Sequence, residues 1–343
     1  MKASSFSLES AVITKQQREQ VSRAVSILNA GGVVAFPTET VYGLGADATN
    51  IKAVSDIYRI KQRPMNHPLI VHIADFSYLH EWAQAIPDSA LKLATQFWPG
   101  PLTLILKRNR RVSDVVTGGQ DTVGVRVPSH PIALALLRSL GQGKALAAPS
   151  ANRFGRISPT TAAHVQKELG AEVNMILDGG SCTVGLESTI VSFVGDNPKV
   201  LRPGGITLAE LESVFGASIS MMHRTDSSTT RVPGSLPSHY APTTPLKLCA
   251  TEQLWQYAQK LTSQQLKTMV ITWSTIQRPL QQNEYLQHCS MPNDPESYGR
   301  ELYAILHQLD QVGFDYLLVE MVPDHSSWLA IEDRLQRASH HTI

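Results

Sequence analysis

The stretch GGVVAFPTETVYGLG, residues Gly31–Gly45, contains the pattern that decides the fold. Residues Val33–Phe36 form a short apolar run that predicts a buried strand. The Pro-Thr-Glu-Thr sequence at 37–40 then places two hydroxyls and a carboxylate at the rim of the predicted sheet, where open α/β sheets bind ligands. We expect Gly43–Gly45 to form a turn, because glycine adopts turn conformations without steric cost. An ordinary strand and turn with surface threonines is the alternative interpretation.

Length and composition limit the classes of protein to be considered. The 343 residues favour two domains, and 42% hydrophobic with 17% charged residues supplies a substantial core. A net charge of +1 argues against a strongly basic, nucleic-acid-binding surface, although a neutral total can hide a local basic patch.

The cysteines and the N-terminal sequence indicate the cellular compartment. Cys182, Cys249 and Cys289 are odd in number and far apart, so they predict no disulfide framework and favour a reducing compartment. The N-terminus lacks the apolar region of a signal peptide, and no run approaches the ~18 apolar residues of a membrane span. We therefore expect a cytoplasmic protein with no membrane segment.

Strands and helices alternate along residues 14–215. Thr14 and Gln17 form a capping-box pattern ahead of one helix, and Asn50 is placed to cap the next. Apolar runs such as Leu69–Ile73 predict buried strands. Because several connections are too short for a crossover helix, the pattern predicts an α/β domain with a mixed sheet.

The composition changes at residues 216–245, where Ser, Thr and Pro dominate. A loop of this length without hydrophobic periodicity is either a disordered linker or a functional lid. In residues 246–343, the apolar runs Leu246–Cys249, Val270–Thr272 and Tyr316–Val319 alternate with helical stretches. They predict a small second α/β domain.

The standard motifs of several enzyme classes are missing from the sequence. It contains no G-x-x-x-x-G-K-[ST], G-x-G-x-x-G, H-E-x-x-H or G-x-S-x-G pattern. The segment GQGK at 141–144 lacks the spacing and the hydroxyl of a phosphate-binding loop. Interpretations based on those nucleotide, zinc-protease and hydrolase motifs therefore lose support.

Four cationic or imidazole side chains occupy unusual positions. Lys61 and Arg63 precede Pro64 at a predicted helix end, where they can hold phosphate oxygens or simply interact with the helix dipole. His72 and Arg126 lie within apolar strands, and a buried arginine must be paired or face a cleft. The alternatives are an internal salt bridge for Arg126 and a satisfied core histidine for His72.

Small polar side chains form a further group. Ser150 and Asn152 follow an apolar run, and Ser158 is expected to begin a helix that continues to about Leu169. Hydroxyls and main-chain N–H groups at a strand end and a helix start can hold an anion, with simple helix capping as the alternative.

Ser188 and Arg202 are weak candidates individually, but the motifs that contain all these residues occur in a characteristic order. They are PTETVYGLG, K-x-R-P, PSAN, ESTIV and LRPGG. With FWPGPLTLIL, HYAP and AIEDRLQRA, they make the chain resemble the long, two-domain threonylcarbamoyl-AMP synthases of the YrdC-like superfamily. The resemblance covers nearly everything from about Thr14 to the C-terminus.

The resemblance implies a YrdC-like domain with a twisted mixed sheet and flanking helices, joined by a lid-like linker to a small Rossmann-like α/β domain. Members of the family make L-threonylcarbamoyl-AMP from L-threonine, bicarbonate or CO2, and ATP with Mg2+, and release pyrophosphate. Partner proteins then transfer the threonylcarbamoyl group to an adenosine beside the anticodon of certain tRNAs, and a weak contact with tRNA is also conceivable. This chemistry depends on positioning and charge neutralisation.

By the same resemblance, two sets of side chains surround the two substrates. Around L-threonine we expect Thr38, Thr40, His72, Arg126 and Ser188. Around ATP we expect Lys61, Arg63, His67, Thr122, Ser150, Asn152, Ser158, Arg202 and Tyr240. Arg126 is suited to bind the threonine carboxylate. Tyr240, in the linker, would cover the nucleotide and exclude water from the mixed anhydride. The resemblance assigns no metal ligands.

Two segments depart from the family pattern. A Lys-Tyr type pair is expected after Gly234, where Ser235–Pro237 stands instead, and a glycine-rich turn is expected where the chain has His325–Leu329. An RNA-binding or ribosome-associated module without adenylate-forming activity is the main rival function, and transfer from carbamoyl phosphate is a third. The neutral charge and the lid favour the enzyme.

Overall fold

The computed structural model describes residues 13–195, 197–222, 230–234, 239–274 and 282–340. The helices in these ranges are α1 (Lys15–Asn29), α2 (Ile51–Lys61), α3 (Leu79–Trp82), α4 (Asp88–Phe97), α5 (Asp114–Thr117), α6 (Pro131–Ser139), α7 (Ala162–Leu169), α8 (Leu208–Phe215), α9 (Thr251–Ser263), α10 (Pro295–Leu309) and α11 (Leu329–Ala338). The strands are β1 (Val34–Phe36), β2 (Gly43–Asp47), β3 (Ile70–Ile73), β4 (Ala83–Gln84), β5 (Leu102–Arg108), β6 (Thr122–Arg126), β7 (Ala145–Ala147), β8 (Met175–Ile176), β9 (Thr189–Ser192), β10 (Lys199–Arg202), β11 (Ser220–Met221), β12 (Leu246–Cys249), β13 (Thr268–Thr272), β14 (Leu286–Ser290) and β15 (Tyr316–Glu320).

The first domain is built on one large mixed sheet. Its strand order is β11-β10-β9-β5-β6-β3-β7-β2-β1-β8, with β4 paired to β5. Parallel pairs such as β3·β6 and β5·β9 stand beside antiparallel pairs such as β1·β2 and β5·β6. The sequence-based prediction of a mixed rather than purely parallel sheet is therefore confirmed.

The opening stretch differs from its prediction in one respect. Gly43–Asp47 is strand β2, paired antiparallel to β1, and the predicted turn at Gly43–Gly45 is wrong. The glycines are required for close packing: a Cβ on Gly45 would lie 2.7 Å from the ring of Phe36. The chain reverses instead through residues 37–42, which puts the Thr-Glu-Thr sequence in the connection between two buried strands.

The predicted helix starts are confirmed for the first two helices. Thr14 and Gln17 form the reciprocal capping box of α1, and the Asn50 side chain accepts a hydrogen bond from the main-chain N–H of Ala53 at the start of α2. Helix α2 ends at Lys61, and Gln62 adopts a left-handed conformation with φ of 54°. That sharp end directs Lys61 and the following Arg63 into the protein, where both are buried.

Ser158 does not begin a helix. Helix α7 begins at Ala162 with Thr161 as its cap, whereas Ser158 is buried in the extended segment that precedes it. Pro159 follows Ser158, and a residue before proline is disfavoured in helical geometry. The Ser158 hydroxyl is consequently available for a partner outside the helix.

The second domain contains a four-stranded parallel sheet in the order β12-β15-β13-β14. Helices α9, α10 and α11 accompany it, which confirms the small α/β domain. Strand β14 was not predicted, because Gln287, His288 and Ser290 interrupt the apolar pattern at the sheet edge. Helix α8 and the short strand β11 were also missed. Strand β11 adds residues 220–221 to the first sheet, and the predicted division at 215 and 245 stays a prediction.

The two domains share a hydrophobic cluster. Val41, Leu186 and Tyr240 pack with second-domain residues that include Tyr303 and Ile331. The two larger of the first domain's other clusters lie on opposite sides of its sheet, one under α2 and α4 and the other under α1 and α6. Among the described residues, no helix is long and apolar enough to cross a membrane. The segment expected to be a glycine-rich turn contains a short 3-10 helix, Ser326–Trp328.

Candidate functional site

A cleft between the connection after β1, the ends of β3 and β6, and the linker gathers most of the predicted site residues. Those that line it are Thr38, Thr40, Arg63, His72, Arg126, Ser150, Ser188, Arg202 and Tyr240. Lys61, His67, Thr122, Asn152 and Ser158 are not among the lining residues. The cleft therefore presents three guanidinium groups and several hydroxyls to one space.

Arg126 is fixed at the end of β6 by residues of the opening stretch. Its Nη2 lies 2.5 Å from Oε1 of Glu39, and its Nη1 donates to Oγ1 of Thr40 at 2.9 Å. The other Glu39 oxygen accepts a hydrogen bond from the main-chain N–H of Ser129. Arg126 Nε is buried without a partner. Arg126 therefore both forms an internal salt bridge and lines the cleft. Its unsatisfied Nε donor is suited to a ligand carboxylate.

The threonines of the opening stretch have different tasks. Thr38 donates from its hydroxyl to the carbonyl oxygen of Val41 at 2.6 Å and holds the bend of the connection. Its Oγ1 is also 2.8 Å from Oγ1 of Thr40, which is the hydroxyl bound by Arg126. Thr40 is therefore the link between the bend and the guanidinium group.

His72 lies beside Arg126 in the parallel β3·β6 register. Burial, with the neighbouring Arg126 charge, lowers the pKa of His72 to about 3. The ring is therefore neutral near pH 7, with Nδ1 3.2 Å from the carbonyl oxygen of Ile70. A neutral imidazole beside the guanidinium adds hydrogen-bonding capacity to the cleft without adding positive charge.

Lys61 and Arg63 are both buried but differ in what they contact. Lys61 Nζ donates to the main-chain carbonyls of Ser150, at 2.6 Å, and Asn152, and burial lowers its pKa well below the ordinary value. Arg63 lines the cleft, donates to the carbonyl oxygen of Pro68 at 2.9 Å and lies 5.4 Å from the ring centre of Phe154. Burial lowers the pKa of Arg63 to about 10, so it stays cationic near neutrality.

The segment around Ser150 runs beside the opening stretch. The main-chain N–H of Leu44 donates to Pro149, and that of Ala151 donates to Tyr42. Asn152 Nδ2 donates to the carbonyl oxygens of Arg153 and Arg156, whereas its Oδ1 is buried without a partner. Lys61 and Asn152 together hold this segment at the cleft edge.

Ser188 and Arg202 form one hydrogen-bonded unit that also lines the cleft. Arg202 donates through Nε and Nη2 to the carbonyl oxygen of Ser188 and through Nη1 to that of Pro233 in the linker, at 2.9 Å. The hydroxyls of Ser188 and Thr103 are 2.8 Å apart. Two candidates that were individually weak in the sequence are therefore neighbours in space.

The linker closes the cleft with His239 and Tyr240. Tyr240 has a φ of 61°, is 1% exposed, and its phenolic oxygen is buried without a hydrogen-bond partner. His239 Nδ1 is likewise unpartnered, and burial with the charges of Arg63 and Lys61 lowers the pKa of His239 well below its usual value. Uncharged polar groups without partners in a cationic cleft are suited to receive hydrogen bonds from a ligand. The expected Lys-Tyr position lies outside the described residues.

His67 and Thr122 are not among the residues that line the cleft. The His67 ring packs edge-on against Phe154 with centroids 5.2 Å apart, and its pKa is lowered by burial and by Arg63. Thr122 begins β6 at the end opposite Arg126 and pairs with Lys107 of β5. The structure does not bring Thr122 to the cleft.

Sequence reasoning missed Glu187 and His239, which both line the cleft. Glu187 accepts a hydrogen bond from the Ser158 hydroxyl at 2.6 Å. Glu187 begins the ESTIV motif and His239 begins the HYAP motif. Their position within these motifs, rather than their residue type, was the signal that could have identified them. Among the described residues, no group of three or more His, Cys, Asp or Glu side chains is placed to hold a metal ion.

The arrangement can bind an anion and a carboxylate together. Arg63 and Arg202 offer positive charge to the cleft, and Arg126 with Thr40 offers an oriented donor set. Glu187, which lines the cleft, is paired with Arg334, and Glu39, behind the lining residue Arg126, is paired with that arginine. The fold and the cleft define a two-domain α/β protein with a candidate ligand site between the first domain and the linker.

Comparisons with known proteins agree with this description. The Sua5/YciO/YrdC family model, described as "Telomere recombination", matches residues 26–204, and the model "Threonylcarbamoyl-AMP synthase, C-terminal domain" matches residues 206–340. A threonylcarbamoyl-AMP synthase of Bacillus subtilis is 40% identical over 324 residues, which is 93% of each chain. One of Pyrococcus abyssi is 38% identical over 93% of this chain and 94% of the relative.

A solved structure of Pyrococcus abyssi Sua5, described as complexed with L-threonine, has a TM-score of 0.86 and 37% identity over 94% of both chains. The chain belongs to the two-domain threonylcarbamoyl-AMP synthase family.

Proposed function

We propose that this protein synthesises L-threonylcarbamoyl-AMP from L-threonine, bicarbonate or CO2, and ATP. The observation that carries the proposal is the convergence of Arg63, Arg126 and Arg202 with Thr40 and Ser188 on one cleft. Full-length relatives that bear the name of this synthase support it and favour the enzyme over the RNA-binding alternative.

We assign the Arg126 side of the cleft to threonine. The unpartnered Nε of Arg126 would donate to the threonine carboxylate, while Glu39 and Thr40 keep the guanidinium in place. His72, neutral near pH 7, and Ser188 would complete the polar surround. The structure of a family member with bound L-threonine supports a threonine site in this fold.

We assign the opposite side to ATP. Arg63 and Arg202 would neutralise phosphate charge, and Ser150 would donate a hydrogen bond beside them. Lys61, Asn152 and Ser158 would act on the nucleotide through the segments that they hold, and His67 and Thr122 remain sequence-based candidates. Tyr240 and His239 would cover the bound nucleotide.

The proposed reaction balances without an acid–base residue pair. The threonine amine combines with bicarbonate to give a carbamate, with loss of water and of the ammonium proton to solvent. A carbamate oxygen then bonds to the α-phosphorus while the bond from that phosphorus to the β-phosphate oxygen breaks, and pyrophosphate leaves. The side chains of the cleft orient the two substrates and offset charge, which is the main contribution expected in such transfers.

Mg2+ belongs to this proposal as part of the ATP substrate. Mg2+ retains several waters and commonly binds through substrate phosphates. Transfer of the product group to tRNA would fall to other proteins, a weak tRNA contact is a further proposal, and the cytoplasm remains the expected compartment.

The test measures pyrophosphate release from ATP and the mass of the adenylate product. Release should require L-threonine and bicarbonate, each omitted in turn, and serine should replace threonine poorly. Equal release with serine, or release that does not depend on bicarbonate, would overturn the proposal. Salt-sensitive tRNA binding without any pyrophosphate release would instead favour an RNA-binding module.

A further inference from the structure

Glu187, a carboxylate at the wall of the cleft, is held from the second domain. Its Oε2 lies 2.9 Å from Nε of Arg334 in α11 and 3.0 Å from the hydroxyl of Tyr303 in α10. The hydroxyl of Ser158, in the first domain, donates to Oε1 at 2.6 Å. Three donors from two domains therefore fix one carboxylate that borders the substrate space.

Arg334 is part of the interior of the protein. Its side chain is fully buried, Nη1 donates to the carbonyl oxygen of Pro203 at 2.8 Å, and the guanidinium carbon lies 5.3 Å from the ring centre of Tyr240. Asp333 also accepts from Nη1 at 2.8 Å. A charge pair in this setting is screened little by solvent, so removal of one partner leaves the other uncompensated.

Glu187 is ionised in this environment. Burial favours its neutral form, but the charges of Arg334 and Arg202 and the hydrogen bond from Ser158 outweigh burial and lower the pKa. Arg202 lines the same cleft. Without Arg334, the carboxylate would draw on Arg202 for its countercharge and would repel a phosphate placed beside it.

We propose that Arg334, supplied by the second domain, is a positioning residue of the substrate cleft: it neutralises Glu187, so that this carboxylate does not cancel the positive charge that Arg202 offers to ATP. The second domain thereby completes the nucleotide side of the site. The inference rests on the proposed function, because it identifies the bound anion as ATP.

Substitutions of Arg334 and of Glu187 should change the affinity for ATP in opposite directions. Arg334→Met leaves a negative charge at the cleft wall and should weaken ATP binding about tenfold or more. Glu187→Gln breaks the same pair but removes that negative charge, so it should tighten ATP binding by about two- to fivefold. The double variant Glu187→Gln/Arg334→Met should return to within about threefold of the wild-type affinity.

Titration calorimetry with MgATP on the full-length protein measures these affinities, and steady-state pyrophosphate release supplies KM and kcat. The Arg334→Met loss should fall mainly on the KM for ATP. Arg156→Met is the matched control, because it removes another ion pair between the domains, to Asp310, that does not touch Glu187. It should leave ATP affinity within about twofold of wild type.

Three outcomes would overturn the inference. They are a normal ATP affinity in Arg334→Met, equal weakening in Glu187→Gln, and failure of the double variant to recover. If Arg334→Met does not fold, Arg334→Lys keeps the charge and should bind ATP within about threefold of wild type, and weak binding by that folded variant counts against the inference. If the wild-type protein binds ATP but releases no pyrophosphate, only the proposed function is contradicted. The ATP affinities of the variants still test the role of the Glu187–Arg334 pair.

Discussion

Nη2 of Arg126 lies 2.5 Å from Oε1 of Glu39; both side chains are buried, and Arg126 lines the cleft. Because Glu39 belongs to the connection after β1, the arginine on β6 is fixed by the stretch Gly31–Gly45. Glu39 consequently orients the guanidinium group, and the proposed chemistry needs no base from it.

Arg126→Ala should weaken L-threonine binding at least tenfold and MgATP binding by less than about threefold, because of the two ligands only L-threonine loses a charged partner, the one for its carboxylate. Titration calorimetry with each ligand separately gives both values. Arg108→Ala is the matched control: Arg108 ends the neighbouring strand β5 and pairs with the exposed Asp114. Equal losses for the two ligands would assign Arg126 a purely structural task.

Lys61→Met should lower the free energy of unfolding by about 2 kcal/mol, because the main-chain carbonyls of Ser150 and Asn152 lose their buried donor. The loosened segment should also weaken ATP binding, by about tenfold. Urea denaturation and calorimetry measure the two effects. Lys52→Met, at an exposed position of the same helix, should change neither. Unchanged ATP affinity in a destabilised Lys61→Met protein would separate Lys61 from the site.

Gly234→Ala should disturb the lid, since a Cβ on Gly234 would lie 2.2 Å from the Tyr240 phenolic oxygen, and Gly234 has a φ of 83°. We expect an ATP KM raised about fivefold and a stability loss of about 1–3 kcal/mol. Gly216→Ala is the control, because Gly216 has a φ of 85° with open space around it. In a Tyr240→Phe background, Gly234→Ala should raise the KM for ATP by less than it does in the wild type. If the increase in KM is the same in both backgrounds, the contact with the Tyr240 phenolic oxygen is not its cause.

The stacked rings of His164 and His307, with centroids 4.0 Å apart, predict a loss of stability in acid. Burial, with the neighbouring His164, lowers the pKa of His307 to about 4, although Asp310 opposes the shift. Between the ordinary value near 6.5 and 4, the unfolded chain binds a proton that the folded protein excludes, so stability falls as pH falls. Above about pH 6.5 the His307 titration costs the folded protein no stability. By pH 5 it lowers the free energy of unfolding by about 2 kcal/mol.

Urea denaturation at pH 7.5 and pH 5 measures this dependence. His307→Gln should reduce the difference between the two pH values, whereas His80→Gln, at an exposed position, should leave it as in the wild type. Other buried histidines, including His72, contribute to the total, so the comparison of variants isolates His307. An unaltered difference in His307→Gln would show that the stacked pair does not titrate in this range.

Local patterns in the sequence predicted the elements that depend on neighbouring residues. The capping box of Thr14 and the cap of Asn50 depend on contacts within one turn of helix, and both formed as expected. The turn predicted at Gly43–Gly45 failed because those glycines make room for Phe36 on the paired strand. Close packing between strands is a tertiary contact that the chain's local pattern does not contain.

The sequence by itself determined the α/β class, the second domain and most of the polar residues that line the cleft, because apolar runs, helix caps and ordered motifs are local features. Only the tertiary structure decided which polar groups line the cleft and which are paired inside the protein. It paired Arg126 with Glu39, turned Lys61 toward main-chain carbonyls and joined Glu187 to Arg334 across 147 positions of chain. Buried charges must find partners wherever the fold brings them, and those partners are distant in sequence.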